Sequence, residues 1–371
     1  MPSPAASHSK DAAEKLRRAF HALWRLGSSA LVGWTVAGNS LEILTSPKVR
    51  LFSMKSAPRR VFFGTRRMGP NTFAEVARSL EAQPVELRLD HRIGDGPDEL
   101  PLDAIEQLFE AFAVTRTEHH AVFLIGIAGF SNSPPEQQAV QLSTLGFALN
   151  LAAEMARKQG VRLVMHRSTT GDGFYVWNTV KGMEADENLF IGLILFLVFH
   201  ASLRRSTTAP EAVPPVRIAA SVGSHYTYRQ PSPDGMGGAE FIVGDVTISL
   251  ARLVGAARPN QILIGDFFRV DDKTEEVLGL EDFLERVFER TAFLSTITMP
   301  GGSIEKVAAY LTGPRRPDGT HRIQRLKVVD KHGYEHQCCN LKINVYPANG
   351  ETYFCGLQHE DLVKTAKPKT A

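Results

Sequence analysis

The sequence contains little cysteine. Cys338, Cys339 and Cys355 are the three cysteines among 371 residues, and all lie near its C-terminal end. Three thiols cannot pair off completely, which excludes the disulfide framework typical of small secreted proteins. We therefore expect a reducing, cytoplasmic environment.

An excess of charge of either sign is also lacking. Lys and Arg total 42 against 40 Asp and Glu, giving a net charge of +2. This balance excludes a protein that binds nucleic acid through an overall positive charge, although local basic patches remain compatible with it. The hydrophobic share of 43% and charged share of 22% exclude disordered, collagenous and coiled-coil chains.

A long hydrophobic run is missing as well. The most apolar run is Leu189–Phe199, well short of the roughly 20 residues that span a bilayer, and Arg204 and Arg205 follow it. This pattern predicts a buried core helix over Leu189–Leu203 and no membrane partner. The charged first residues also lack the apolar core of a signal peptide.

Changes in pattern along the chain predict three regions. Residues 1–115 form an N-terminal helical and basic segment, residues 116–315 a central domain, and residues 320–362 a small, separate β-rich module. Within the first region, Lys48–Arg67 is strand-like and carries seven Lys or Arg. This segment is compatible with a solvated face or with a phosphate-binding patch.

The central region alternates strand-like and helical patterns. An apolar strand at Ala121–Ile127 is followed by a helix opened by Pro134 and Pro135. Next come a β-hairpin over 161–177 that turns at Gly171, Asp172 and Gly173, the apolar helix, and further strands at 216–222 and 261–264. The order predicts an α+β fold, a mixed sheet with a ferredoxin-like core flanked by helices.

Several of these blocks resemble the class III nucleotide cyclases, the adenylate and guanylate cyclase catalytic domain. Their order and spacing agree over roughly residues 118–268. The blocks that carry the resemblance are Val122–Ser131, Arg167–Phe174, Val216–Val222, Phe241–Leu253 and Asn260–Ile264.

The resemblance implies cyclisation of a nucleoside triphosphate in a head-to-tail dimer. In that family two Mg²⁺ or Mn²⁺ ions, held by two Asp, activate the ribose 3′-hydroxyl, and a helix Asn and Arg orient the ribose and stabilise charge. On this basis Asp172 is the candidate metal ligand and catalytic residue, and Arg252 is the candidate catalytic arginine. The substrate-binding candidates are Ser168, Phe241, Gly129 and Phe130.

The sequence departs from the family pattern at four positions. Gly126 stands where the first metal Asp is expected, and Ile248 stands where the helix Asn is expected. Ser168 and Phe241 replace the base-selecting residues of the purine cyclases. A substitute for the missing carboxylate is conceivable at Glu240 or Asp245, although a helix-capping role suits Asp245 better.

The C-terminal region carries a second resemblance. Val328–Tyr346 and Cys355–Gln358 look like the small sensor domain appended to cyclases in bacterial antiviral systems, among them the Pycsar-type pyrimidine cyclases. Zinc binding by the three cysteines and nearby histidines is an alternative, although small buried thiols explain the cysteines better. The histidines concerned are His321, His332, His336 and His359.

Three functional hypotheses follow. The first is a nucleotide cyclase that converts UTP or CTP to a 3′,5′-cyclic nucleotide in antiphage defence, as a homodimer or with a complementary chain. A cyclic-nucleotide-gated effector would then act downstream. The second is a catalytically inactive, nucleotide-binding sensor or regulatory partner, and the third is nucleic-acid binding by residues 48–67.

Overall fold

A computed structural model of the chain describes residues 4–54, 59–89, 92–94, 99–231, 238–271, 273–299, 302–317, 322–330 and 332–364. The chain divides into two compact units. Unit 1 comprises residues 1–117 and 226–243, and unit 2 comprises residues 118–225 and 244–371.

The first part of unit 1 alternates helices with short strands. Its elements are α1 (Pro4–Trp24), β1 (Ser29–Ala37), β2 (Ser40–Pro47), α2 (Lys48–Ser53), α3 (Pro70–Leu80), β3 (Val85–Arg88) and α4 (Leu102–Glu110).

The later elements include two long strands, β4 and β7, that each run from one unit into the other. In chain order they are β4 (Thr115–Ile127), α5 (Pro135–Lys158), β5 (Met165–Thr169), β6 (Gly173–Asn178), α6 (Met183–Ser206), β7 (Val216–Pro231), β8 (Gly238–Val243), α7 (Asp245–Ala256), β9 (Ile262–Gly265), β10 (Phe268–Val270), β11 (Val277–Gly279), α8 (Leu280–Glu289), β12 (Thr298–Met299), β13 (Gly302–Leu311), β14 (Arg325–Val329), β15 (Glu335–Pro347), β16 (Tyr353–Cys355) and α9 (His359–Lys364).

Unit 1 is built on an antiparallel sheet of β1, β2 and β3. One core contains Phe20 of α1, Trp34 of β1 and Phe109 of α4. A second core contains Phe73 and Val76 of α3. The N-terminal region is therefore a mixed α/β unit, and the prediction of a mainly helical segment was incomplete.

The prediction of a strand over Lys48–Arg67 was wrong. Lys48–Ser53 is helical, a 3₁₀ turn covers Arg59–Val61, and residues 55–58 lie outside the described ranges. The Arg66 guanidinium is buried and donates hydrogen bonds to main-chain oxygens, including that of Val61 at 2.7 Å. Since carbonyl groups of its own unit hold it, Arg66 is a structural residue and not a phosphate ligand.

Unit 2 is built on a large mixed sheet with the strand order β12-β13-β15-β9-β7-β4-β6-β5. Strands β7 and β9 are parallel, and the hairpin of β5 and β6 is antiparallel. Helices α5, α6 and α8 pack on one face, where alternate residues such as Phe123 and Ile125 point into the core. The predicted α+β architecture, a mixed sheet flanked by helices, is confirmed.

Helix α6 is the centre of that core. Within the described ranges it alone is long and apolar enough to cross a membrane, and most of it is buried inside the protein. Its first turns also contain buried polar side chains. Asp186 accepts a hydrogen bond from the Ala121 N–H and forms an ion pair with Arg269 at 2.6 Å. The prediction of a core helix is confirmed, with bounds wider than Leu189–Leu203.

The C-terminal strands are not a separate module, contrary to the sequence prediction. Strand β15 pairs antiparallel with β9, and Leu341 lies opposite Ile262. Strands β13, β14 and β16 in turn pair with β15. Ile343 and Val345 of β15 are fully buried in the core that contains α6, so these strands extend the central sheet.

Candidate functional site

The hairpin between β5 and β6 places Asp172 in a tight turn. The Thr170 N–H donates to the Gly173 carbonyl at 3.0 Å, and Gly171 has a φ of +94°, which favours glycine. The Thr170 hydroxyl donates to Oδ1 of Asp172 at 3.1 Å. The Ile127 N–H binds the Asp172 carbonyl at 2.9 Å, so the turn is fixed against the end of β4.

Gly126 lies directly beside Asp172. It pairs with Gly173 across the two strands, and a Cβ built on it would lie 3.7 Å from Oδ2 of Asp172. The same Cβ would lie 3.2 Å from Cγ1 of Val254, a buried residue of α7. The two positions at which the resemblance expects metal carboxylates therefore meet, but one has no side chain and a valine methyl group crowds it.

The donors around Asp172 do not fit a two-metal centre. Two divalent cations in one site need bridging carboxylates or comparable oxygen ligands, and Asp172 supplies one carboxylate. Within the described part of the chain, no group of three or more His, Cys, Asp or Glu side chains is placed to hold a metal ion. This arrangement can hold at most a weakly bound cation beside Asp172.

Asp245 and Glu240, the two candidate replacements for the missing carboxylate, do not complete a two-metal centre. Asp245 is the first residue of α7 and is exposed, while the helix start is closed by a hydrogen bond from the Gly244 N–H to Oγ1 of Thr247 at 3.1 Å. Glu240 belongs to unit 1, where it pairs with Arg229. Asp245 is thus an exposed residue at the start of α7, and Glu240 is engaged by an arginine of unit 1.

Helix α7 packs over the sheet face that carries Gly126. The Tyr175 hydroxyl of β6 donates to the Thr247 carbonyl at 2.9 Å, and burial raises the pKa of that tyrosine. Ser168 lies opposite Tyr175 in the hairpin register. Cross-strand partners share a face of a sheet, so Ser168 lies on the same face as Gly126 and Gly173.

Arg252 is engaged within its own unit. Its Nε lies 3.3 Å from Oδ2 of Asp330, and its side chain is 32% exposed. Asp330 also accepts hydrogen bonds from the N–H groups of His332 at 2.8 Å and Tyr334 at 3.0 Å. Partial burial opposes its ionisation, but these hydrogen bonds outweigh burial and lower the pKa of Asp330.

The sequence did not indicate this ion pair. The two residues lie 78 positions apart, and the local sequence pattern carries no information on such a long-range contact. The pair gives Arg252 a structural role as a salt-bridge partner. Ile248, one turn before Arg252, is 55% exposed and presents an apolar side chain where the family has an amide.

The remaining candidate residues take different places. Gly129 has a φ of +74° and opens a 3₁₀ turn, and the half-buried Phe130 ring packs against the core of unit 2. Phe241 lies in unit 1 on β8, opposite Tyr228 of β7. Gly129 and Phe130 directly follow β4, and Asp172 directly precedes β6, the strand that pairs with β4. Phe241 belongs to the other unit.

The three cysteines are buried, as expected. Burial raises the pKa of Cys338 to about 12, that of Cys339 to about 11 and that of Cys355 to about 12. Metals bind the thiolate, so these environments oppose a zinc site. Of the associated histidines, His336 contacts Ser249 and Asp330, and His321 lies outside the described residues.

Comparisons with known proteins gave fold similarities to cyclase domains. No protein-family model matches the chain, and no curated protein matches it. The guanylate cyclase domain of RhGC from Catenaria anguillulae, solved with GTP, is 14% identical over 61% of this chain and 97% of that one, with a TM-score of 0.36. The adenylyl cyclase CyaB from P. aeruginosa is 15% identical over 62% and 95%, with a TM-score of 0.35.

A further solved structure is the dimeric guanylyl cyclase domain of the RhoGC fusion protein from Blastocladiella emersonii. It is 14% identical over 61% of this chain and 97% of that chain, with a TM-score of 0.35.

Proposed function

We propose that this chain is a cyclase-like nucleotide-binding protein that holds a nucleoside triphosphate at the Asp172 hairpin and, on its own, does not cyclise it. The observation that carries the proposal is the pairing of Gly126 with the Asp172 turn, beside Val254. Gly126 supplies no carboxylate beside Asp172, and a methyl group of Val254 crowds the space that a side chain there would enter.

Features of the turn support nucleotide binding. Gly171 is exposed, and a Cβ built on it would meet no atom within 4 Å, so phosphate oxygens can approach the main chain on that side of Asp172. A Cβ on Gly173 would lie 1.8 Å from the Ile125 carbonyl, so the tight packing of the turn onto β4 requires glycine. The hairpin therefore presents one carboxylate and a narrow backbone surface.

Two further features oppose turnover. Charge builds up on the phosphate oxygens in the transition state, and a fixed guanidinium is worth orders of magnitude in rate. The Arg252 guanidinium is paired with Asp330, and exposed Ile248 offers no hydrogen bond to a ribose. We infer a sensor or regulatory role, with this chain as the complementary partner of an active cyclase.

The second candidate is the cyclisation of UTP or CTP in antiphage defence. The ribose 3′-oxygen would form a bond to the α-phosphorus, and the bond to the departing pyrophosphate would break. The placement of Ser168 on the sheet face that carries Gly126 favours this candidate, because a small hydroxyl group can hydrogen-bond the edge of a pyrimidine. The missing carboxylate would then have to come from another chain in a cytoplasmic homodimer or heterodimer.

One experiment separates the proposal from a cyclase that is active as a homodimer. Purified full-length chain is incubated with each of UTP, CTP, ATP and GTP and Mn²⁺, and both nucleotide binding and cyclic products are measured. The proposal predicts saturable binding that Asp172→Ala weakens about tenfold or more, with no cyclic product. A cyclic pyrimidine product would establish the second candidate, and absence of nucleotide binding would overturn both.

A further inference from the structure

A charged pocket of about 470 Å³ lies in unit 2, away from the Asp172 hairpin. It is formed by the loop after β6, the first turn of α6, the loop after β10, and α8. Its charged lining includes Lys181, Lys273, Arg286, Arg290, Glu187 and Asp271.

The two arginines of the pocket are held in place by buried groups. Glu187 is 4% exposed as a side chain, and its carboxylate pairs with Nε of Arg286 at 3.0 Å and with Arg290. Arg290 also donates to Oδ1 of Asn188 at 2.6 Å. Arg286 of α8 and Arg290, which directly follows that helix in a helical conformation, are one turn apart, so both guanidinium groups are fixed side by side.

The carboxylates of the pocket are largely committed to protein partners. Asp271 accepts hydrogen bonds from the N–H groups of Lys273 at 2.8 Å and Thr274 at 3.2 Å, and these bonds lower its pKa. Its other oxygen lies 3.9 Å from Arg286. Glu187 pairs with both arginines, and Glu184, the third acidic residue among the described lining residues, is exposed.

Among the lining residues that the structure describes, four are cationic and three are acidic. Lys181 and Lys273 are both exposed, and Lys273 makes no ion pair with the residues that the structure describes. The pocket also includes the start of α6, where Gly182 precedes the first turn without a side-chain cap. The positive end of a helix adds to the attraction for an anion.

This pocket is distinct from the hairpin site. Asp172 precedes β6 and Lys181 follows it, so the six residues of β6 separate them. At about 3.3 Å per residue, the separation is about 20 Å. A ligand of nucleotide size bound at Asp172 would not occupy the pocket with its phosphates.

We propose that this pocket binds the phosphate group of a small anionic metabolite, as a second site separate from the hairpin. Glu187 holds both guanidinium groups and Asn188 holds that of Arg290, so their remaining N–H groups are fixed in place to donate to phosphate, and fixing them in advance reduces the entropy lost on binding. Lys273 closes the site from the loop side, and a ligand hydroxyl group could donate to Glu184.

The test titrates the full-length chain with inorganic phosphate as the probe. Binding is measured by the broadening of the ³¹P resonance at constant ionic strength. We expect saturable binding with a dissociation constant of about 10 mM or lower. Lys273→Ala should weaken binding at least about threefold, with Lys273→Arg restoring it, and Arg290→Lys should weaken it about tenfold because the bidentate donor is lost.

Matched controls separate this site from the nucleotide site. Lys306→Ala removes an exposed lysine of β13, outside the pocket, and Asp172→Ala removes the hairpin carboxylate; both should leave the phosphate affinity unchanged. Circular dichroism confirms that each variant is folded. Non-saturable broadening, equal affinity in Lys273→Ala and Lys306→Ala, or a loss confined to Asp172→Ala would each overturn the proposal without bearing on nucleotide binding.

Discussion

Arg252 of α7 forms an ion pair with Asp330, at the end of β14, with Nε and Oδ2 3.3 Å apart. The arginine that the sequence suggests for transition-state stabilisation thus ties the helix to a C-terminal hairpin. His336 of β15 lies 3.6 Å from the same carboxylate oxygen, which extends the contact to a second strand.

This pair predicts coupled effects on stability. Arg252→Ala and Asp330→Ala should each lower the melting temperature by about 2–4 °C, and the double variant should lose less than the sum because one interaction is removed twice. Thermal unfolding of the four proteins measures this coupling. Strictly additive losses would show that the two side chains do not interact.

The C-terminal strands should be indispensable for folding of unit 2. Removing residues 320–371 deletes β15, which pairs with β9 and supplies Ile343 and Val345 to the core. We expect the shortened chain to lose cooperative unfolding, and residues 320–362 made alone to remain unfolded. Cooperative unfolding by either fragment would instead support the separate module that the sequence predicted.

Acid should destabilise the protein below about pH 6.5. Burial, followed by the charge of Arg204, lowers the pKa of His200 to about 4, whereas an unfolded histidine has a pKa of about 6.5. The unfolded state therefore takes up the proton first, so stability is greatest above pH 6.5 and falls as the pH drops towards 4. At pH 5 the loss is on the order of 2 kcal/mol for this histidine.

Urea unfolding at pH 7, 6 and 5 measures the slope of the unfolding free energy against pH. His200→Gln keeps a polar side chain but removes the titration, so its slope should be smaller than that of the wild type. Burial also lowers the pKa of His120 to about 4 and that of His225 to about 3, so part of the slope should remain. An unchanged slope in His200→Gln would contradict the assignment.

The missing carboxylate can be replaced by design. Gly126→Asp alone should destabilise the chain, because the new side chain meets Val254 in a buried position. Gly126→Asp combined with Val254→Ala makes room for a second carboxylate beside Asp172 and should raise Mn²⁺ affinity at least about tenfold. Calorimetry of Mn²⁺ binding checks this, with Val254→Ala alone as the control; equal affinities would show that the two positions do not converge.

Local sequence pattern was sufficient for the central sheet. The apolar run at Ala121–Ile127 and the glycines around Asp172 have short-range causes, namely burial and a tight turn, and the structure has a strand and a hairpin there. The hairpin strand lies at Met165–Thr169, displaced from the predicted 161–166. Boundaries of this kind depend on pairing with β6, which the local pattern does not encode.

Long-range pairing explains what the sequence did not reveal. Asp186 and Glu187 are buried, which the sequence did not indicate, because arginines about 80 to 100 positions later neutralise them. Val254 beside Gly126, and Asp330 beside Arg252, likewise become neighbours only through the packing of α7. The site at Asp172 stays a prediction, and the crowding of Gly126 by Val254 could not be seen in the sequence.

The central claim is that the unmodified chain binds a nucleoside triphosphate without cyclising it. The most direct test is mass spectrometry of reactions containing wild-type protein, Mn²⁺ and each of the four nucleoside triphosphates, after binding has been verified in the same preparation. We predict bound nucleotide and no cyclic product above a control without protein. Accumulation of any cyclic nucleotide that Asp172→Ala abolishes would contradict this account.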